Sequence, residues 1–226
     1  MKELETIEFF GNDNSIAYGE LKKFKYPWEA VAKIKDIISA LIPTLSSDYE
    51  KISEGVYVFR GVEIPKTACI MPPCIICEGA EIRNGAFLRG NVIVGRDVVV
   101  GNSSEIKSSI LFDGVSVPHF NYVGDSIIGY KSHLGAGVIV SNLKGDKSSV
   151  SIKRADKAID TGMRKLGAII SSYVEVGCGT ILNPGTVIFS GARIYPLQSV
   201  RGAIEKNVIY KNENNITVKR EGLCAE

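Results

Sequence analysis

Histidine is scarce: two in 226 residues, His119 and His133, alongside a single tryptophan and only 8% aromatic residues. A side chain able to take up a proton near neutral pH is therefore available at very few positions. Net charge is also nearly absent, +2 with basic and acidic residues interspersed, so neither a nucleic-acid surface nor a membrane surface is expected. No apolar run approaches the roughly 18 residues of a membrane span, and MKELETIEFF has no apolar core of a signal peptide. A cytoplasmic protein is the expectation. What is plentiful is hydrophobic residues, 45%, enough for the core of one extended domain with appendages.

Those residues follow a period of six. Ile64, Ile70, Ile76, Ile82, Leu88, Val94, Val100, Ile106 and Phe112 recur without a break. Four residues after each comes a small or β-branched one: Ala68, Cys74, Ala80, Ala86, Val92, Val98, Ser104, Ile110 and Ser116. Neither a helical period of about 3.6 nor simple alternation gives this recurrence. A hexapeptide solenoid does, each hexad supplying one short strand and a corner, so the chain is expected to wind as a parallel β-helix. The large residue fills the interior, the small one packs at the corner, and Gly79, Asn84, Gly85 and Gly90 suit corner dihedrals. Charge at an inward position is then intolerable: Val100→Asp should prevent folding, Arg96→Asp should not. The register also bears on the lone CxxC of Cys74 and Cys77, because the first points inward and the second outward. Their sulfurs should not converge on one ion.

Residues 1 to about 26 alternate polar and aromatic character and read as a small hairpin or irregular strand. From Pro27 the spacing turns helical, with Trp28, Val31, Ile34, Ile38 and Leu41 on one face, predicting a helix over 27–42 stopped by Pro43. This helix or its flanks are expected to cap the first coil, since an open solenoid end needs cover. The six-residue phase breaks twice. Ile128, Leu134 and Val140 form a second register two residues short of the first, implying a segment looped out near PHFNYVGDS. A longer interruption, from about 141 to 166 and rich in lysine, precedes a third register: Ile170, Val176, Leu182, Ile188, Ile194 and Val200. These blocks make roughly six coils. The expected organisation is an N-terminal extension over 1–55, the β-helix over 56–205, and a hairpin around Asn212 to Asn215 with a polar tail over 206–226. In a monotonous scaffold the breaks are where chemistry is expected.

Both histidines lie at or just after the first break. His119, in P-H-F-N-Y-V-G-D, falls outside the inward pattern on a segment expected to leave the coil, where a neutral imidazole can serve as a general base. The pieces L-R, G-N-x-x-E-x-K, H-x-x-Y-x-G-D, L-G-A-G and S-N, taken together between about Tyr26 and Val200, resemble the left-handed β-helix acetyltransferase domain of bifunctional sugar-1-phosphate nucleotidylyltransferase/acetyltransferases. RKLGAIISSYVEVG and GARIYP are similar to the archaeal-type members.

The resemblance implies acetyl transfer from acetyl-CoA, as co-substrate and without metal, to an amino-sugar phosphate, in a homotrimer. His119 matches the general base and Tyr122 a residue that contacts the amino sugar. Arg89 and Lys107 match the pair that binds the acceptor's phosphate. Ala136 and Asn142 match acetyl-CoA contacts, and backbone N–H groups near Gly135 and Ala136 suit the thioester oxyanion. Lys147 matches a sugar-phosphate lysine with its spacing one residue off, and Lys144 competes for that role. Where bacterial members place an acceptor-binding asparagine this chain has His133, which leaves the acceptor's identity open. Nothing before Pro27 resembles the family's L-x-x-G-x-G-T-R triphosphate loop, so uridyltransferase activity is not expected. O-acetyl transfer and a non-catalytic sugar-phosphate-binding module remain alternatives. A metal-binding β-helix is disfavoured, because it needs three histidines per site drawn from adjacent chains.

Overall fold

The computed structural model describes residues 2–11, 14–155 and 157–219. The start of the chain is helical, not a hairpin: a 3-10 turn at Lys2–Leu4 leads to α1 (Thr6–Phe10) and α2 (Tyr18–Leu21). Phe9, Phe10, Ala17 and Leu21 are buried, and this tertiary burial outweighs an alternation too short to specify a strand. The helix expected over 27–42 is two helices, α3 (Pro27–Val31) and α4 (Ile34–Leu41), with a break at Lys33 (φ −116°, ψ 11°). Glu29 accepts the Tyr26 N–H at 3.1 Å and so fixes the start of α3. All five residues of the expected stripe are buried.

The solenoid is a left-handed parallel β-helix with three faces. Its inward positions, among them Ile76, Leu88, Val94, Val100 and Ile106, are fully buried, each contributing about 1.5–3 kcal/mol. The first face has eight rungs, running from Val56–Phe59 through Cys74–Ile76 and Val92–Val94 to Thr186–Ile188 and Ala203–Ile204. This exceeds the six coils expected. Val58 already occupies an inward rung before Ile64, Val117 and Val123 fill rungs inside the supposed break, and Ile204 and Tyr210 extend the far end.

Burial on this first face is on both sides. Ile75, Ile93, Ile110, Ile127, Ile169 and Val187 are in register and point outward between inward neighbours, yet all are buried. The N-terminal helices lie over this ladder, with α3 against Tyr122–Ile128 and α4 against Glu105–Leu111. Phe10 stacks on Phe112 at 4.8 Å, and Phe9 meets Phe189 at 5.1 Å. The helices thus clothe a side of the prism. Of the helix and its flanks, it is the flanking strand Tyr49–Ser53 that covers the first coil, pairing antiparallel with Val56–Phe59. Tyr49 lies over Cys77, which is buried rather than open to solvent, and burial pushes that thiol up to about 11.

The first break is not a loop. Val94 pairs with Leu111 and Leu111 with Ile128, seventeen residues on each time, so two successive coils each lose one residue and nothing leaves the wall. Leu111, not Phe112, is the inward rung; Ile110 lies outward beneath the helices, and Ser116 is outward too. The lost residues are absorbed at Ser108 (φ +45°) and Asp125 (φ +49°). Buried serines complete those tight corners: Ser109 Oγ donates to the Lys107 carbonyl at 2.8 Å and Ser126 Oγ to that of Gly124 at 2.7 Å. In the next coil the same edge, between third and first faces, emits the long insertion, so Ile127 pairs with Ile169, forty-two residues on. The departures from the period in three consecutive coils therefore stack on one edge. The insertion holds an antiparallel hairpin, Ser151–Arg154 with Lys157–Asp160. At the C-terminus Val208–Asn212 pairs antiparallel with Asn215–Val218; the expected tail over 220–226 lies outside the described residues.

Candidate functional site

The third face, built from Cys69–Met71, Phe87–Arg89, the first halves of Glu105–Leu111 and Tyr122–Ile128, then Ile139–Val140, Ile181–Leu182 and Ser199–Val200, is bounded by two edges carrying most of the candidate residues. On one edge His119 ends the second-face strand Ser116–His119 and stays in the coil. The expectation that its segment leaves the wall fails because Asn121 occupies the inward corner position. Buried Asn121 accepts the His119 N–H at 3.0 Å through Oδ1 and donates through Nδ2 to the Gly135 carbonyl at 2.8 Å. Its backbone N–H donates to Ser104 Oγ at 3.2 Å, so one residue joins three successive corners. The corner above must be Gly101, since a Cβ there would sit 1.6 Å from the Pro118 carbonyl oxygen. The His119 imidazole itself is exposed beside Phe120, and among the described residues nothing hydrogen-bonds it.

In the coil below, Gly137 N–H donates to the His119 carbonyl at 2.9 Å, and Gly135 N–H to that of Val176 at 2.8 Å. Of Gly135 and Ala136, only Ala136 therefore has an amide to offer a ligand, and it sits one corner below His119.

The opposite edge is densely bonded. Arg89 pairs with Glu105 at 2.8 Å, and Lys107 reaches both oxygens of Asp125 at 3.1 Å. Asn142 Nδ2 donates to Tyr122 Oη at 3.2 Å and also to Asp125. Gly124 underlies this junction, where a Cβ would lie 2.5 Å from Tyr122 Oη. Burial first, then the charge of Asp125, holds the Tyr122 phenol above its ordinary value, so it stays a neutral hydroxyl at neutral pH. Tyr122 begins its strand next to the His119 corner and ends its side chain at Asn142, which links the two edges across the face.

Arg89, Lys107, Tyr122 and Asn142 thus converge, with His119 and Ala136 across the face. His133 does not join them: it stands on the second face between Ser116 and Glu175. Lys147 (φ +57°) is exposed in the turn that opens the insertion, and Lys144 is tied to Ser148 Oγ at 2.5 Å and the Ser149 carbonyl at 3.1 Å. Sequence reasoning assigned no role to Glu105 and Asp125, the carboxylates that neutralise both cations. They were visible as the E of G-N-x-x-E-x-K and the D of H-x-x-Y-x-G-D, but a partner one coil away is a neighbour only after the chain has wound.

Fold and site together describe a hexapeptide-repeat β-helix whose candidate residues gather on one face between two edges. The model of the GMPPB C-terminal domain matches residues 70–210, and the chain belongs to that family. It is 31% identical over 223 residues to the bifunctional protein GlmU of Methanococcus vannielii, covering 97% of this chain and 53% of the relative. To a bifunctional sugar-1-phosphate nucleotidylyltransferase/acetyltransferase of Sulfurisphaera tokodaii it is 34% identical over 174 residues, 75% of this chain and 43% of the relative. The chain spans about half the length of the curated relatives it matches. A hexapeptide transferase family protein of Anaplasma phagocytophilum superposes with a TM-score of 0.37 at 18% identity, over 59% of this chain and 70% of that one, a likeness too slight to bear on function.

Proposed function

We propose that this chain is an acetyltransferase that moves the acetyl group of acetyl-CoA onto the amine of an amino-sugar phosphate or nucleotide amino sugar. The relatives' names carry acetyl transfer in one case outright. The observation that carries the reading is the third face: a proton acceptor and an unpartnered amide on one edge, a hydroxyl-binding set on the other, and Tyr122 between them. Acetyl-CoA supplies the activated acyl group. His119 takes the proton from the amine as its nitrogen bonds to the acyl carbon, and returns it to the sulfur as the carbon–sulfur bond breaks. The Ala136 N–H faces the charge that develops on the acyl oxygen. Asp125 and Tyr122 hold the sugar hydroxyls, Asn142, the acetyl-CoA contact that the resemblance implies, is bonded to both of them, and a homotrimer supplies the second wall of the cleft.

A phosphate must displace Glu105 and Asp125 to reach Arg89 and Lys107, so their paired state weighs against a phosphate at this edge in the acetyl-transfer reading and in the alternative of a sugar-phosphate-binding module without turnover alike. Thiol release from acetyl-CoA, measured against glucosamine-1-phosphate, galactosamine-1-phosphate, UDP-amino sugars and the matching hydroxyl sugars, separates the readings. Turnover with amines alone supports the proposal. Turnover with hydroxyls alone makes the chemistry O-acetyl transfer. Sugar-phosphate binding without CoA binding or turnover selects the module.

A further inference from the structure

Beyond Asn142 the long insertion has no part in that chemistry, yet it is firmly seated. Strand Ser151–Arg154 lies over the corners of the next two coils, where a Cβ on Gly202 (φ +78°) would come 2.9 Å from the Lys153 carbonyl oxygen, and one on Gly185 (φ +77°) 3.1 Å from that of Ser151. Val150 and Ile152 are fully buried. Arg154 donates to Glu205 at 2.8 Å and to Glu3 at 2.6 Å, and lies over the Phe189 ring. The insertion is a fixed wall.

Between this wall, the turn that opens it and the coil corners at Asn183 and Arg201 runs a groove of about 440 Å³. Lys144, Lys153 and Arg201 line it, facing a single carboxylate, Asp146. Hydrogen bonds from the Ser148 N–H and hydroxyl hold Asp146 below its usual range, so it is ionised and the groove keeps an excess of two positive charges. Among the described residues no carboxylate lies at ion-pair distance from those three cations, although the Lys144 charge is felt by Asp146 and Asp160, and Arg201 contacts Asn183 Oδ1 at 3.4 Å. Arg89 and Lys107 are the opposite case, each already neutralised by a carboxylate. The cations reach the groove from three separate segments, Lys144 from the opening turn, Lys153 from the hairpin strand and Arg201 from a coil corner, an arrangement that suits the several oxygens of two linked phosphates better than one.

We propose that this groove is an anion site that takes the diphosphate of a nucleotide. That diphosphate has two sources, a nucleoside-diphosphate sugar or the diphosphate end of CoA. The test is titration calorimetry of the whole chain with pyrophosphate, UDP and CoA, comparing wild type, Lys153→Ala/Arg201→Ala, and Lys157→Ala as a hairpin lysine outside the groove. Each lost cation should weaken pyrophosphate about tenfold, with a shallower salt dependence, while Lys157→Ala binds as wild type does. The nucleotide that weakens in parallel names the source. Both side chains are exposed, so melting temperature should hold; if the double variant melts early, Lys153→Ala alone carries the test at about tenfold. Pyrophosphate that fails to bind, or binds the variants as well as wild type, overturns the site, as does indifference of both nucleotides. The choice of source rests on the proposed function, whose co-substrates carry such a diphosphate, while pyrophosphate binding is read without turnover, so failure of the site and failure of acetyl transfer are told apart.

Discussion

At the scale of single residues, His119 and Asn121 divide the labour of one corner. His119 presents an exposed imidazole, and Asn121 fixes the backbone that carries it. His119→Ala should lower turnover about 10² to 10⁴-fold while the protein stays folded, which steady-state thiol release and a melting curve together report. Unchanged turnover would remove His119 as the base. Asn121→Ala leaves the Gly135 carbonyl and the His119 N–H without their partner, at a cost of about 1–3 kcal/mol. Its melting temperature should drop, and kcat should fall more than KM rises because the proposed general base, His119, loses its placement. Glu105 and Asp125 belong to this scale as well, since they decide whether Arg89 and Lys107 meet a ligand as free charges or as exchange partners.

At the scale of elements, the N-terminal helices and the first face form one layer. Ile127 faces outward from its strand yet is fully buried beneath them, so Ile127→Ala should cost about 2–5 kcal/mol, as a core truncation does. Chemical denaturation would measure it; a change below about 0.5 kcal/mol would mean that the helices do not seat on this face. The hexad pattern alone gives Ile110 to the interior and Phe112 to a rung. Both assignments fail because a coil shortened by one residue shifts register, and only a neighbouring coil reveals which residue is in step.

At the scale of the whole molecule, sedimentation should give a mass three times that of the chain if the cleft has its second wall from a neighbouring copy. A monomer at micromolar concentration would leave the site open on one side and weigh against the acetyl-transfer reading. Val100→Asp places a carboxylate at a fully buried rung and should abolish the folded signal in circular dichroism. Arg96→Asp is a poorer control than its exposure suggests, since Arg96 pairs with Asp113 at 3.4 Å and its N–H donates to the same carboxylate at 2.8 Å. It should fold, with stability lowered by about 1 kcal/mol.

The sequence by itself determined the winding, because a large residue every sixth position admits only a short strand and a corner, and it marked His119, Tyr122, Arg89, Lys107 and Asn142 through motifs that survive in one dimension. Only the tertiary structure decided that the irregular corners of three consecutive coils lie on one edge, that the helices clothe a face, and that His133 stands apart from the other candidates. The reason is geometric. Stacking places residues sixteen, seventeen, eighteen or forty-two apart in register side by side, and no local pattern records which of those distances a given corner will use.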